Sequence, residues 1–346
     1  MNSIAILYSM KKSDAPRDEK MGSAELHINY WKIPASSGCY TRFIDFGVMI
    51  NDVAPDIDKV YFYFPFTFED TNLEDLGAQL RESSFLCTLF NGDYIIKNLP
   101  NSPSYSEVSS QDSGRNPFLL YELGKSNFSL TSMAPNKGML LSIAIKAFPV
   151  TTSNQPKNVE NKGRNLYFRF RLNYIPKEVL CHEEEVSNDF FQSAFSKCEM
   201  LSFRINDKRE LDKKVYEDIS AKGVFTGFNK IHFFFIGSSE DERVDGNSTY
   251  CDCRLLDSER WKPYLKGKDL KNRKCLACHW SYKAESDETL DKCNIFLRTV
   301  YKSLNKRKLL KYCSVVILLG AIGSLLPDIV IIIFKVIVFL AQLIVN

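Results

Sequence analysis

The chain has no G-x-x-x-x-G-K-[ST] phosphate loop, no G-x-G-x-x-G after a strand, and no H-E-x-x-H or G-x-S-x-G. Those absences remove the commonest nucleotide-hydrolysing, dinucleotide-binding, zinc-protease and serine-hydrolase chemistries, and catalysis is not expected. Histidine is scarce, 4 in 346 residues, and His27, His182 and His232 read as structural or surface residues. Cys181-His182-Glu183-Glu184-Glu185 holds reactive residue types but reads as a solvated acidic turn. The first twenty residues lack the basic-then-apolar order of a signal peptide. The 10 cysteines are therefore expected as reduced thiols, buried or metal-bound, and the sequons at Asn127 and Asn247 carry no meaning. No repeat of fixed period is visible.

Charge is unevenly spread. Lys302, Lys306, Arg307, Lys308 and Lys311 lie between 301 and 312 with no acidic residue among them. Removing those five from the net +3, with Asp328 and Lys335 cancelling, leaves −2 on residues 1–300. An acidic body argues against broad binding to a phosphate backbone. A basic run directly before an apolar one is the positive-inside pattern and attracts anionic lipid, which places the body on the cytoplasmic side of the cell inner membrane.

That apolar run, Cys313 to Asn346, carries only Asp328 and Lys335 as charged side chains. A bilayer core about 30 Å thick takes roughly 20 helical residues, so the run exceeds one straight span. Pro327 near its middle removes a backbone donor. Two short spans turning at 324–328 are expected, with one kinked helix as the alternative. Lysine at mid-membrane costs about 2.5–3.5 kcal/mol, so Lys335 must snorkel, pair or face water. In a homo-oligomer Lys335, with Asp328, would line a pore. Gly320, Ala321, Gly323 and Ser324 allow close approach of helices.

Residues 1–250 alternate apolar and polar positions between turn signals, as in Thr41-Arg42-Phe43-Ile44-Asp45-Phe46 and Asn165 to Tyr174. The expected fold is mainly β, a β-sandwich-like body with short helices, followed by transmembrane helix. Strands are expected over 85–90 and helices over 72–83 and 189–200. Residues 251–287 form a basic, membrane-proximal segment with cysteine and tryptophan, and 288–312 an amphipathic linker helix with Leu290, Cys293, Leu297, Val300, Tyr301 and Leu304 on its stripe.

Two cysteine pairs, Cys251/Cys253 and Cys275/Cys278, have roughly the separation of a four-cysteine zinc ribbon, so a structural zinc is the candidate cofactor. The alternative is ordinary thiols around an aromatic mini-core of Trp261, Tyr264, Trp280 and Tyr282. Lys266, Lys268, Arg273 and Lys274, interleaved with aromatics, are candidate nucleotide contacts or a headgroup collar. Arg169 and Arg171 on one strand face are a second candidate anion site.

The plan of a strand-rich cytoplasmic sensor before a minimal membrane module resembles bacterial antiphage transmembrane effectors. These include those of cyclic-oligonucleotide signalling and of the Hailong system. The stretch Cys253-Arg254-Leu255-Leu256-Asp257, then Trp261-Lys262-Pro263-Tyr264-Leu265 and His279-Trp280, supports the likeness. It implies a channel regulated by a nucleotide or oligonucleotide from a partner nucleotidyltransferase. A membrane-anchored binding or scaffold protein without conductance is the competing expectation.

Overall fold

The structure, a computed structural model, describes residues 3–11, 23–36, 39–53, 57–90, 92–112, 116–133, 137–145, 165–185, 194–246, 252–265, 268, 270, 274–285 and 288–345. Its first part runs β1 (Ala5–Met10), β2 (Ser23–Ser36), β3 (Cys39–Asn51), β4 (Ile57–Phe64), β5 (Leu73–Asp75), α1 (Gly77–Leu80) and α2 (Ser83–Phe90). There follow β6 (Tyr94–Asn98), β7 (Tyr105–Ser110), β8 (Phe118–Tyr121), β9 (Phe128–Ser132), β10 (Met139–Ala144) and β11 (Asn165–Leu172). Next come α3 (Lys177–Leu180), β12 (Cys181–Glu185), β13 (Ser196–Ile205), α4 (Lys213–Ser220), β14 (Val224–Phe225) and β15 (Lys230–Ser238). The chain closes with β16 (Glu242–Gly246), β17 (Asp252–Leu255), α5 (Ser258–Leu265), β18 (Cys275–Lys283), β19 (Cys293–Lys302) and α6 (Lys306–Val345).

Side-chain alternation sorts these strands into layers. Ala24, Leu26, Ile28 and Tyr30 of β2 enter one core with Ile44, Phe46, Val48 and Ile50 of β3 and Leu166, Phe168, Phe170 and Leu172 of β11. Their sheet, ten-stranded among the described residues, has the order β17-β18-β15-β2-β3-β11-β8-β7-β6 with β5 beside β11. A five-stranded sheet, β14-β1-β4-β10-β9, and a four-stranded one, β12-β13-β19-β16, contribute to the same core. Phe46, Phe62 and Phe170 meet there at ring separations of 4.9–5.5 Å. Burying each ring stabilises by about 1.5–3 kcal/mol, and the edge contacts add roughly 0.5–1.5 kcal/mol a pair. The expected sandwich-like, mainly β body is what forms.

A buried ionic knot joins the large sheet to the four-stranded one. Lys32 Nζ of β2 lies 3.3 Å from both Glu199 of β13 and Asp241, and all three are nearly inaccessible. The same ammonium sits over the rings of Tyr40 and Tyr301 at 4.5 and 4.3 Å.

Several expected elements differ. Residues 293–302 are a strand, not part of a linker helix. Cys293, Ile295, Leu297, Thr299 and Tyr301 are all buried at a spacing of two, and ten pairings to β13 outweigh the helical reading of the same apolar positions. The tail is one helix through Pro327 rather than two spans. Proline removes a single donor, whereas ending the helix there would leave the backbone groups of a whole turn unpaired. Residues 252–283 are not a separate collar, because β17 and β18 complete the large sheet and α5 folds over it. Phe85–Phe90 is helical, its Phe85, Leu86, Leu89 and Phe90 packing together on the second core. Residues 196–200 of the expected helix at 189–200 belong to β13, and 189–193 lie outside the described residues.

From Lys306 to Gln342, α6 is long and apolar enough to cross a membrane, and its most apolar stretch is not buried against the protein, although Tyr312 near its start is. It leaves β19 after three residues, held by Ser303 N–H to Phe195 O at 2.8 Å and Asn305 N–H to Ala194 O at 2.8 Å.

Candidate functional site: a histidine-lined cavity

The face of the large sheet turned away from the main core carries a second apolar core under α2 and α5 and, beside it, a row of polar side chains. Register aligns His232 of β15 with His27 of β2, His27 with Gly47 of β3, and Gly47 with Arg169 of β11. Gly47 is the gap in this row. A Cβ there would collide with the Tyr167 hydroxyl and lie 2.9 Å from Arg169 Nη1, so both side chains cross the strand only because glycine stands there.

Above the row is a cavity of about 770 Å³, lined among others by Glu25, His27, Asn29, Arg169, Lys230 and His279. Phe90, Tyr94 and Phe234 form aromatic walls, and Asp252 and Arg254 of β17 stand at one side. That volume lies in the range that holds small ligands. Three of the 4 histidines in the chain meet here. His232 Nδ1 and His279 Nε2 share a hydrogen bond of 2.8 Å, His27 lies edge-on to His232 at 5.0 Å, and His279 stacks on Phe234 at 4.2 Å.

Burial first, then the charges of His232, Arg169, Lys230 and His279, holds His27 well below the usual histidine range. Burial, Lys230 and His279 push His232 down to about 3. Burial and Lys230 likewise lower His279, against the opposing pull of Asp252. All three imidazoles are therefore neutral at pH 7 and offer lone pairs rather than charge.

Two buried polar atoms on the cavity floor, Asn29 Oδ1 and Arg169 Nη2, have no hydrogen-bond partner among the described residues. Arg169 Nε bonds Tyr264 Oη at 2.9 Å and Nη1 bonds Tyr167 Oη at 3.0 Å, whereas Nη2 is 4.0 Å from the nearest Asp45 oxygen. An unmet donor and an unmet acceptor at the base of a cavity are where a ligand or water completes the bonding.

The expected anion pair divides at this point. Arg171, also fully buried, is not an open anion site: Asp45 takes its Nε at 2.6 Å and Nη2 at 3.2 Å, and it packs over Phe43 and Tyr264. Burial pushes the Asp45 carboxyl up, but Arg171, with Arg169 and the Tyr264 hydroxyl, outweighs it and keeps the carboxyl below the usual range. Both arginines are buried because α5, carrying Trp261 and Tyr264, covers a strand face that alternation alone reads as solvated.

Of the other expected contacts, Lys268 bonds Asn173 and lies over Phe43 at 4.8 Å, away from the cavity lining, and Lys274 is exposed. Lys266 and Arg273 lie outside the described residues. The cysteine tetrad does not assemble. Cys275 and Cys278 are three apart on β18, which sends them to opposite faces, one in each core. Cys278 instead meets Cys253 across the strands at 2.8 Å between sulfurs, and Cys251 lies outside the described residues. Trp261 and Trp280 separate in the same way, so the expected aromatic mini-core is split between the two faces.

Glu25, His27 and His232, with Lys230, Arg254, Phe90 and Phe234, are functional candidates that sequence reasoning passed over. The usable signal was Glu25-x-His27-x-Asn29 and Lys230-x-His232-x-Phe234, polar residues at a spacing of two on strands whose other face is apolar. In comparisons with known proteins, no family model matches this chain and no curated protein matches it.

Proposed function

We propose that the protein is a ligand-controlled membrane effector of antiphage type. The cytoplasmic body binds a nucleotide or oligonucleotide in the histidine-lined cavity, and α6 from several copies forms an ion channel in the inner membrane. The observation that carries this reading is the pairing of cationic and aromatic groups around one cavity. Arg169, Lys230 and Arg254 suit phosphate oxygens, while Phe90, Tyr94 and Phe234 offer faces on which a base can stack.

A physical route from cavity to helix supports the coupling. β2 carries Glu25 and His27 at the cavity and Lys32 in the ionic knot with Glu199 of β13. β13 pairs with β19 along its length, and β19 runs into α6. In the helix, the 3.6-residue repeat puts Gly320, Ser324, Asp328, Ile331 and Lys335 on one side. Small residues on that side let neighbours approach, and Asp328 and Lys335 then sit where a bundle interior or pore would be.

The test is ion flux from liposomes holding the full-length protein, measured with and without a panel of nucleotides and cyclic oligonucleotides. A change in flux with one member of the panel is expected. Binding without conductance in any state would leave a membrane-anchored binding protein instead.

A further inference from the structure

We propose that Glu25, His27 and His232 hold a divalent first-row metal ion of the zinc class, with open coordination positions facing the cavity. Their ligand atoms all lie within 4.8 Å of one another, and His27 Nε2 is 4.0 Å from Glu25 Oε2. Ligands around a tetrahedral zinc, each bonded at about 2.1 Å, stand roughly 3.4 Å apart. Closing the set therefore takes about an ångström of side-chain rotation and no movement of strands.

The backbone arrangement favours such a set. Glu25 and His27 are two apart on β2 and share a face, and His232 is the registered neighbour of His27 on β15. Two imidazoles and one carboxylate match zinc sites that keep a position open for a further ligand.

The surroundings are those of a metal site too. His232 Nδ1 is engaged with His279 Nε2 at 2.8 Å, which fixes its ring and leaves Nε2 for the ion. Asn51 Nδ2 reaches the far oxygen of Glu25, Oε1, at 3.4 Å. Hydrogen bonds of this kind orient ligands and typically change metal affinity about 10- to 100-fold. Lys230 and Arg169 oppose a bare cation, and an anionic oxygen in the open positions offsets them. The ion would thus join the histidines to an anionic ligand in the same cavity. The proposal shares that cavity with the reading above but needs neither conductance nor a nucleotide.

The test uses full-length protein in detergent, stripped with a chelator and titrated with Zn²⁺ or Co²⁺ alone, with metal content measured after gel filtration. One ion per chain is expected, and the Co²⁺ form should lack thiolate charge-transfer absorption. Glu25→Gln and His232→Gln should each weaken binding at least 10-fold. His279→Gln should weaken it about 10- to 100-fold. Cys253→Ser should leave it unchanged. Glu25 is partly exposed, so Glu25→Gln decides the matter even where His232→Gln fails to fold. Absence of a saturable ion, binding that survives Glu25→Gln, or binding lost in Cys253→Ser would each overturn the assignment. Nucleotide-dependent flux with no bound metal would sink this site and leave the effector reading standing.

Discussion

Asp45→Asn removes one negative charge from beneath two buried guanidiniums. The carboxylate accepts from Arg171 Nε at 2.6 Å and Nη2 at 3.2 Å, from Tyr264 Oη at 2.8 Å and from Trp31 Nε1 at 2.8 Å. Asparagine keeps the shape but turns one acceptor into a donor facing donors. Breaking a buried pair from one side costs about 3–5 kcal/mol, because the remaining charge stays desolvated. Domains are stable by about 5–15 kcal/mol, so roughly a third of the total is at stake. Urea unfolding of the full-length protein in detergent, followed by tryptophan fluorescence, reads this directly, since Trp31 bonds Asp45 and Trp261 packs on Trp31 at 5.6 Å. With a slope of about 3 kcal/mol/M the midpoint should fall by about 1–1.7 M. Arg171→Met combined with Asp45→Asn should lose less than the two separate losses together, by about 0.5–3 kcal/mol. A cost under about 1 kcal/mol, or strict additivity, would refute the claim that this cluster is held by charge.

Glu183 sets an acid limit. Burial would raise its pKa, but hydrogen bonds from Lys177 and Tyr301 and the charges of Lys177 and Lys197 bring it to about 2. A lowered folded-state pKa contributes stability above the unfolded value near 4.5 and loses it as pH falls from there toward 2. Discounted for partial exposure, the loss is about 1–2 kcal/mol, and Glu183→Gln should flatten that limb of a stability–pH curve. Gly47→Ala pushes a methyl into Tyr167 and Arg169; unfolding should show a cost of about 1–3 kcal/mol, and calorimetry at least a tenfold loss of affinity for a nucleotide proposed to fill the cavity. If copies of α6 form the proposed channel, Lys335→Ala should change conductance while the size in gel filtration stays the same; unaltered flux would remove Lys335 from the proposed pore.

Period-two alternation carried β3 and β11 from sequence to structure almost residue for residue, because both strands are apolar on one side. It failed where two periods coincide: Cys293, Leu297, Val300, Tyr301 and Leu304 fit a helix, yet Cys293, Ile295, Leu297 and Tyr301 are the buried set. The cavity was out of reach for another reason. His27 and His232 become neighbours through a parallel pairing across about two hundred residues, and nothing local in either strand names the other. Arg169 and Arg171 were legible as a pair on one face, but not the helix that buries them. Cys275 and Cys278 misled because C-x-x-C suggests a turn, whereas an extended strand turns the two sulfurs away from each other.

The short joint between β19 and α6 limits how copies can associate. Packed helices lie about 8–10 Å apart, whereas a folded body of some 300 residues is roughly 50 Å across. Three residues reach only about 10 Å and leave little slack between those two scales. The helix is 40 residues long, and at about 1.5 Å per residue it exceeds the bilayer core by roughly 30 Å. If copies assemble through α6, either each helix leaves its body next to the common axis or this surplus leans inward as a stalk. The girth of the body, more than the surface of the helix, would then cap how many subunits fit around the ring.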